Sequence, residues 1–268
     1  MTADCSLPTM YPILLKLGPL TLYSYGALLV IAFLAATFLS IRAARRLPPS
    51  LVAIQPHQLM DFACVSLLGG MLGARLFYVL LHWDSFASFP QEIFAIWRGG
   101  LVWYGGFLGG ALAGWAYLAA NRLSFLGVMD QLIPFVALGH AIGRIGCFFN
   151  GCCYGRPTQA WYGVVFPGHA TAVLPTQLFE SAGLFLFYAM LRALQRPAML
   201  HRRGALFGFY LVGYAKLRFI LEWFRGDQVA WWNGLTLQQL ISLGLGLVGL
   251  GLLLRAARRP PIALGMSR

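Results

Sequence analysis

An all-α, polytopic membrane fold is what this sequence predicts, and three observations predict it. Of 268 residues, 59% are hydrophobic and only 10% charged, against about 25% charged in a soluble domain; mean hydropathy is +0.70. Seven stretches approach the ~20 apolar residues that a spanning helix needs. Arginines gather in short clusters between those stretches. This composition rules out a disordered chain and argues against a water-soluble enzyme. It points to a single integral membrane domain over residues 1–268.

The seven spans are expected at about 19–41, 58–82, 101–120, 131–149, 176–195, 205–225 and 235–254. The first and last are plain lipid-facing runs. Asp4 precedes the first and no basic segment does, so a retained span is expected rather than a cleaved signal peptide. The second, fourth and sixth spans carry ionisable residues. The chain has no convincing internal repeat, low-complexity tract or second domain.

The positive-inside rule orients the spans. Arg42, Arg45 and Arg46 follow the first; Arg122 follows the third. Arg192, Arg196, Arg202 and Arg203 end or follow the fifth, and Arg255, Arg258, Arg259 and Arg268 follow the seventh. With seven spans all of these share one side, and Lys16, Arg98, Arg156 and Arg225 are left on the other. The N-terminus is therefore expected outside and the C-terminus in the cytoplasm. The net charge of +12 then reports topology. No nucleic-acid motif accompanies it, and no nucleic-acid partner is expected. Two outward loops, about 83–100 and 150–175, are expected, the second rich in Gly, Pro, Trp and Tyr. Such a loop can lie at the interface and shape an entrance from lipid.

Charges at membrane depth are costly and usually face the protein interior, where they act. The candidates are Asp61, Arg75, His140, Arg144, Glu180, Lys216, Arg218, Glu222 and Arg225. Tyr214, Arg218, Glu222 and Arg225 share one helical face by spacing, as do His140 and Arg144. A guanidinium is a planar fork of donors that suits phosphate, so Arg144 and Arg218 from different spans can clamp one anion. Alternatively each pairs with a carboxylate, Asp61, Glu180 or Glu222, and Arg218–Glu222 only joins helices; both can hold at once. Asp61 and Arg75 lie fourteen residues apart, about 21 Å along a helix, too far to pair. Asp61 reads as a solvated helix-start residue. Lys216 either snorkels or serves the anionic site.

Three of the five cysteines cluster at Cys147, Cys152 and Cys153; the others are Cys5 and Cys64. A closed metal site commonly uses four ligands. This spacing does not supply them, although His140 or His169 adds one, and no metal is expected. A Cys147–Cys152 disulfide on an oxidising side and buried inert thiols are the open alternatives, with a catalytic thiol third.

The segment GRIGCFFNGCCYGRPT resembles the signature of bacterial prolipoprotein diacylglyceryl transferases, G-R-x-G-N-F-x-N-G with a following acidic residue. LGPLTLYSYG with Tyr25 and Gly26, GARLFYVL, RGGLVWYGGFLGG, LPTQLFES, LRFILEWFR and GLTLQQLIS resemble further segments of that family, in order and over nearly the whole chain. The resemblance implies a seven-span body with an outward periplasmic cap in the bacterial plasma (inner) membrane. It implies transfer of an sn-1,2-diacylglyceryl group from phosphatidylglycerol to the lipobox cysteine of prolipoprotein signal peptides, the first step of lipoprotein maturation. No cofactor is implied. Arg144 and Arg218 would be the essential arginines, with Tyr25, Asn150, Gly151, Tyr214, Glu222 and Arg225 lining the lipid site. The chain departs from the pattern at three places. Tyr104 stands where many members have His, Cys147 where Asn is usual, and Cys152 where an acidic residue is usual. His140 can then serve as base; Tyr104 can donate a hydrogen bond but is a poor base at a reference pKa near 10.

Two other functions compete: a divergent relative that binds anionic lipid and modifies another acceptor, and a small-solute transporter. A transporter commonly has inverted repeats or broken helices at matching positions, which this sequence lacks.

Overall fold

The apolar runs that predict spans become helices. The computed structural model describes residues 13–17, 20–95, 99–167, 169–226 and 230–258. Asp4, Cys5, Arg98, Arg259 and Arg268 lie outside the described residues. The elements are β1 (Ile13–Leu17), β2 (Leu20–Tyr23), α1 (Ser24–Ala44), α2 (Pro56–Leu81), α3 (Trp83–Ser88), α4 (Trp103–Ala120), α5 (Phe125–Phe149), α6 (Thr176–Leu194), α7 (Pro197–Leu200), α8 (Ala205–Glu222), β3 (Ala230–Trp232), β4 (Leu235–Thr236) and α9 (Leu237–Arg258). A long helix stands at each expected span.

Four helical stretches are long and apolar enough to cross a membrane: Ser24–Ala44, Pro49–Leu81, Phe125–Phe149 and Leu237–Arg258. The chain is a multi-pass membrane protein. Helices α4, α6 and α8 are less apolar because α4 is rich in Gly, Trp and Tyr, α6 carries Gln177, Glu180 and Arg192, and α8 carries Lys216, Arg218 and Glu222. The fold is not purely helical. The expected start of the first span is strand, because Leu20–Tyr23 pairs antiparallel with Ile13–Leu17. The start of the seventh is likewise strand, with β4 paired to β3. In each case local strand pairing satisfies the backbone that an apolar count alone assigns to helix.

The chain divides into two compact units, Ser40–Val128 and the combination of Met1–Leu39 with Met129–Arg268. In the first, α2 and α4 meet backbone to backbone. A Cβ at Gly73 would lie 2.4 Å from the Gly105 carbonyl oxygen, and one at Gly109 2.3 Å from that of Gly69. These glycines recur every four residues, the spacing that lets membrane helices approach closely. Beyond this seam Arg75, buried at 8% exposure, gathers the following loop. Its Nε donates to Ile93 O (2.8 Å), Nη1 to Gly99 O (2.8 Å) and Gly100 O (3.1 Å), and Nη2 to Glu92 O (2.6 Å). The rings of Tyr78 and Phe86 flank the guanidinium.

In the second unit α5 supplies much of the core, with Leu132, Ile133, Phe135, Ala137, Leu138 and Ala141 buried. Its glycines admit α1: Cβ atoms built at Gly139 and Gly146 would approach Ala32 O to 3.6 Å and the Tyr25 ring to 3.1 Å. Helices α8 and α9 close on each other at Gly208 and Gly249. Asp130 of α5, 1% exposed, accepts the Gly204 and Phe207 amides at the start of α8. An α-helix leaves its first amides unpaired, and this carboxylate satisfies two of them. The 150–175 loop has its own small core, in which Phe166 packs with Phe148, Tyr154 and His169. It is tied to the end of α8 by Arg156 N–H donating to Phe224 O (2.9 Å).

Candidate active site

Three long helices of the second unit place polar side chains on facing surfaces. Four-residue spacing on α5 sets His140 and Arg144 on one face, and on α8 it sets Tyr210, Tyr214, Arg218 and Glu222 on one stripe. Glu180 of α6, 2% exposed, joins them. Its Oε1 lies 3.0 Å from Arg144 Nη2 and 3.8 Å from His140 Nε2, and accepts the Tyr214 hydroxyl at 3.3 Å. The His140 and Tyr214 rings lie 5.2 Å apart, and Tyr210 stacks parallel on Tyr214 at 5.8 Å.

One turn further along α8, Arg218 Nη2 meets Glu222 Oε2 at 2.8 Å. The Thr236 hydroxyl donates to Glu222 Oε1 at 2.9 Å. Both Arg144 and Arg218 are within electrostatic reach of His140 and Tyr214. Each arginine therefore has a carboxylate partner. The pairing is incomplete. The buried Arg144 Nε and Arg218 Nη1 have no hydrogen-bond partner among the described residues. A buried, unsatisfied guanidinium N–H costs about 1–3 kcal/mol or more. Each such donor suits an incoming anionic oxygen.

The end of α5 turns sharply at Gly151 (φ 69°) and Cys153 (φ 65°). This brings Cys152 and Cys153 back to Cys147, with the three Sγ atoms within 4.8 Å of one another. All three are free thiols, so of the alternatives left open the Cys147–Cys152 disulfide is the one not formed. Thr176 and Gln177, at the start of α6, donate to the carbonyls of Cys153 (2.9 Å) and Cys152 (2.6 Å). Hydrogen bonding with the Cys147 and Cys152 thiols, aided by the charges of Arg225 and Arg144, holds the Cys153 thiol well below its usual range despite burial.

The other expected residues fall as follows. Tyr25 of α1 neighbours Arg144 and the three cysteines. Asn150 interacts with Cys152 through its side chain. Arg225 forms a backbone bridge with Gly155. Tyr104 stands on α4 in the Ser40–Val128 unit, 59% exposed and edge-on to Trp103. The sequence marked Glu180 as an intramembrane charge but not as the hub of the site. Thr236 and Gln177 carried no such signal, being neutral residues in segments that only folding brings to the site.

A family model described as prolipoprotein diacylglyceryl transferase matches residues 12–255. The chain belongs to this family. A phosphatidylglycerol–prolipoprotein diacylglyceryl transferase of Gluconobacter oxydans is 35% identical, over 94% of this chain and 95% of the relative. One of Pseudoalteromonas atlantica is 34% identical over 96% and 92%, and one of Clostridium tetani 32% identical over 90% and 96%. As a member of the diacylglyceryl transferase family, the chain has its paired arginines on two helices of one unit and its cysteine turn beside the first of them.

Proposed function

We propose that this chain transfers the sn-1,2-diacylglyceryl group of phosphatidylglycerol to the lipobox cysteine of prolipoprotein signal peptides. The observation that carries this is the pair of half-satisfied arginines, Arg144 and Arg218, each with a buried N–H that its own carboxylate leaves unused. In the reaction a cysteine thiolate attacks the third glyceryl carbon. The C–S bond forms as the C–O bond breaks, and glycerol 1-phosphate leaves with the electron pair. Charge grows on the phosphate oxygens, and guanidinium donors in a water-poor site stabilise it more than water does. Glu180 and Glu222 hold the two forks in orientation. His140, beside Glu180, is the candidate base, and Tyr104 a candidate hydrogen-bond donor to the substrate. Tyr25, Asn150, Gly151, Tyr214 and Arg225 are the candidate lining of the lipid site.

The same proposal places the chain in the bacterial inner membrane, crossing seven times with the N-terminus outside, the C-terminus in the cytoplasm and the outward loops forming a cap. The seven helices at the expected spans and the arginine clusters support it. The test is purified chain incubated with phosphatidylglycerol and a lipobox peptide, read by mass spectrometry. A diacylglyceryl mass gain on the cysteine is expected. Lipid binding without any transfer overturns this function in favour of a relative that modifies another acceptor. Membrane-impermeant labelling of single cysteines introduced at the two termini checks the topology.

A further inference from the structure

We propose that Cys147, Cys152 and Cys153 form a site for a thiophilic divalent cation of the zinc class, with an open fourth position that takes the acceptor's cysteine thiol. The second half rests on the transferase function proposed above; the first does not.

The three sulfurs come from the last turn of α5 and the turn that follows it. Their Sγ atoms lie within 4.8 Å of one another. Tetrahedral zinc–thiolate bonds of about 2.3 Å put sulfurs about 3.8 Å apart, so each pair closes by about 1 Å at most. The backbone that delivers them is held independently of any ion. Cys152 N–H donates to Cys147 O (3.2 Å), and Thr176 and Gln177 fix the next two carbonyls. Cys153 adopts a left-handed φ of 65°, which a non-glycine residue seldom takes. That conformation places the third thiol in the cluster.

No fourth His, Cys, Asp or Glu completes the cluster among the described residues. His169 is packed edge-on to Tyr154 at 4.3 Å between ring centroids. A closed structural zinc site has four protein ligands, whereas a reactive one has three and an exchangeable position. Three thiolates around a divalent cation carry a net charge of −1. Arg144 and Arg225, both within electrostatic reach of Cys153, offset it.

The chemistry suits the neighbouring site. A thiol bound to such a cation is deprotonated outright. The acceptor cysteine would give its proton to the candidate base His140 or to solvent on binding and present sulfur as thiolate beside Arg144. That sulfur forms the C–S bond, the C–O bond to phosphate breaks, and the phosphate leaves with the electron pair; the cation is unchanged.

The test uses full-length chain, reduced and stripped of metal in detergent, titrated with cobalt(II) and then zinc. A thiolate-to-cobalt charge-transfer band saturating at about one cobalt per chain and bleached by zinc is expected. Cys152→Ser and Cys153→Ser should weaken binding at least 10-fold, Cys152→His should restore much of it, and Cys64→Ser should leave it unchanged. No band in the wild type overturns the site. A lipobox peptide should shift the visible cobalt spectrum when it carries cysteine and not when it carries serine. Indifference to both peptides overturns the open position. Full transfer by the metal-free chain overturns thiol activation while leaving the proposed function standing. A zinc-loaded chain that binds both substrates and makes no product overturns the proposed function while leaving the metal site standing.

Discussion

Two regions of this molecule bury arginine, and they treat it in opposite ways. Between α2 and the loop after it, all three nitrogens of Arg75 donate to main-chain carbonyls. Across α5, α6 and α8, Arg144 and Arg218 each take one carboxylate and leave one buried N–H without a partner among the described residues. A guanidinium whose every nitrogen already donates to the main chain is a structural tie, because little remains to offer a ligand. A half-satisfied one is held in place and still able to donate. The difference lies in the surroundings of the side chain, since all three arginines interrupt apolar helices in the same way.

The largest effect that can break this comparison comes from Arg144→Ala. Transfer should fall ~10²–10³-fold, the order seen when an oxyanion donor is removed. Helix insertion should be retained, because deleting a cation does not weaken an apolar span. Normal turnover in that variant removes the phosphate clamp. Next is Gly109→Leu at the α2–α4 seam, where a Cβ would lie 2.3 Å from Gly69 O. Helix separation should cost ~3 kcal/mol or more, visible as lost yield and a lower melting temperature in detergent. Arg75→Ala should then cost ~2–4 kcal/mol from several charge-assisted bonds and open the 89–100 loop to protease. If it instead lowers transfer as far as Arg144→Ala while the loop stays protected, Arg75 belongs to the chemistry. Asp130→Asn weakens the cap on α8 by ~1–2 kcal/mol and should appear only as a small drop in thermal stability. Smallest is Tyr104→Phe. A hydrogen-bonding role predicts a loss of ~10-fold, and unchanged rates on a lipobox peptide would dismiss Tyr104 from the site.

The positions of the helices were legible because an apolar run of the right length has one good solution in lipid. Errors occurred where that rule competes with strand pairing, at Leu20–Tyr23 and Leu235–Thr236. Within each helix the polar face was legible too, since four-residue spacing alone sets His140 beside Arg144 and Arg218 beside Glu222. Legibility ended at the neighbouring helix. Arg144 had three candidate carboxylates, and periodicity ranks none of them. Asp130 escaped notice because its task is to cap a helix whose first amide is 74 residues away.

Composition and spacing by themselves determined a helical membrane protein, the places of its seven long helices and the residues that share each polar face. Those follow from solvation and helix geometry, which act over a few residues. Folding alone decided that Glu180 takes Arg144, that Arg75 serves the backbone, and that three thiols meet at the end of α5. Such pairings depend on which faces meet, and that is set by packing between segments far apart in the chain.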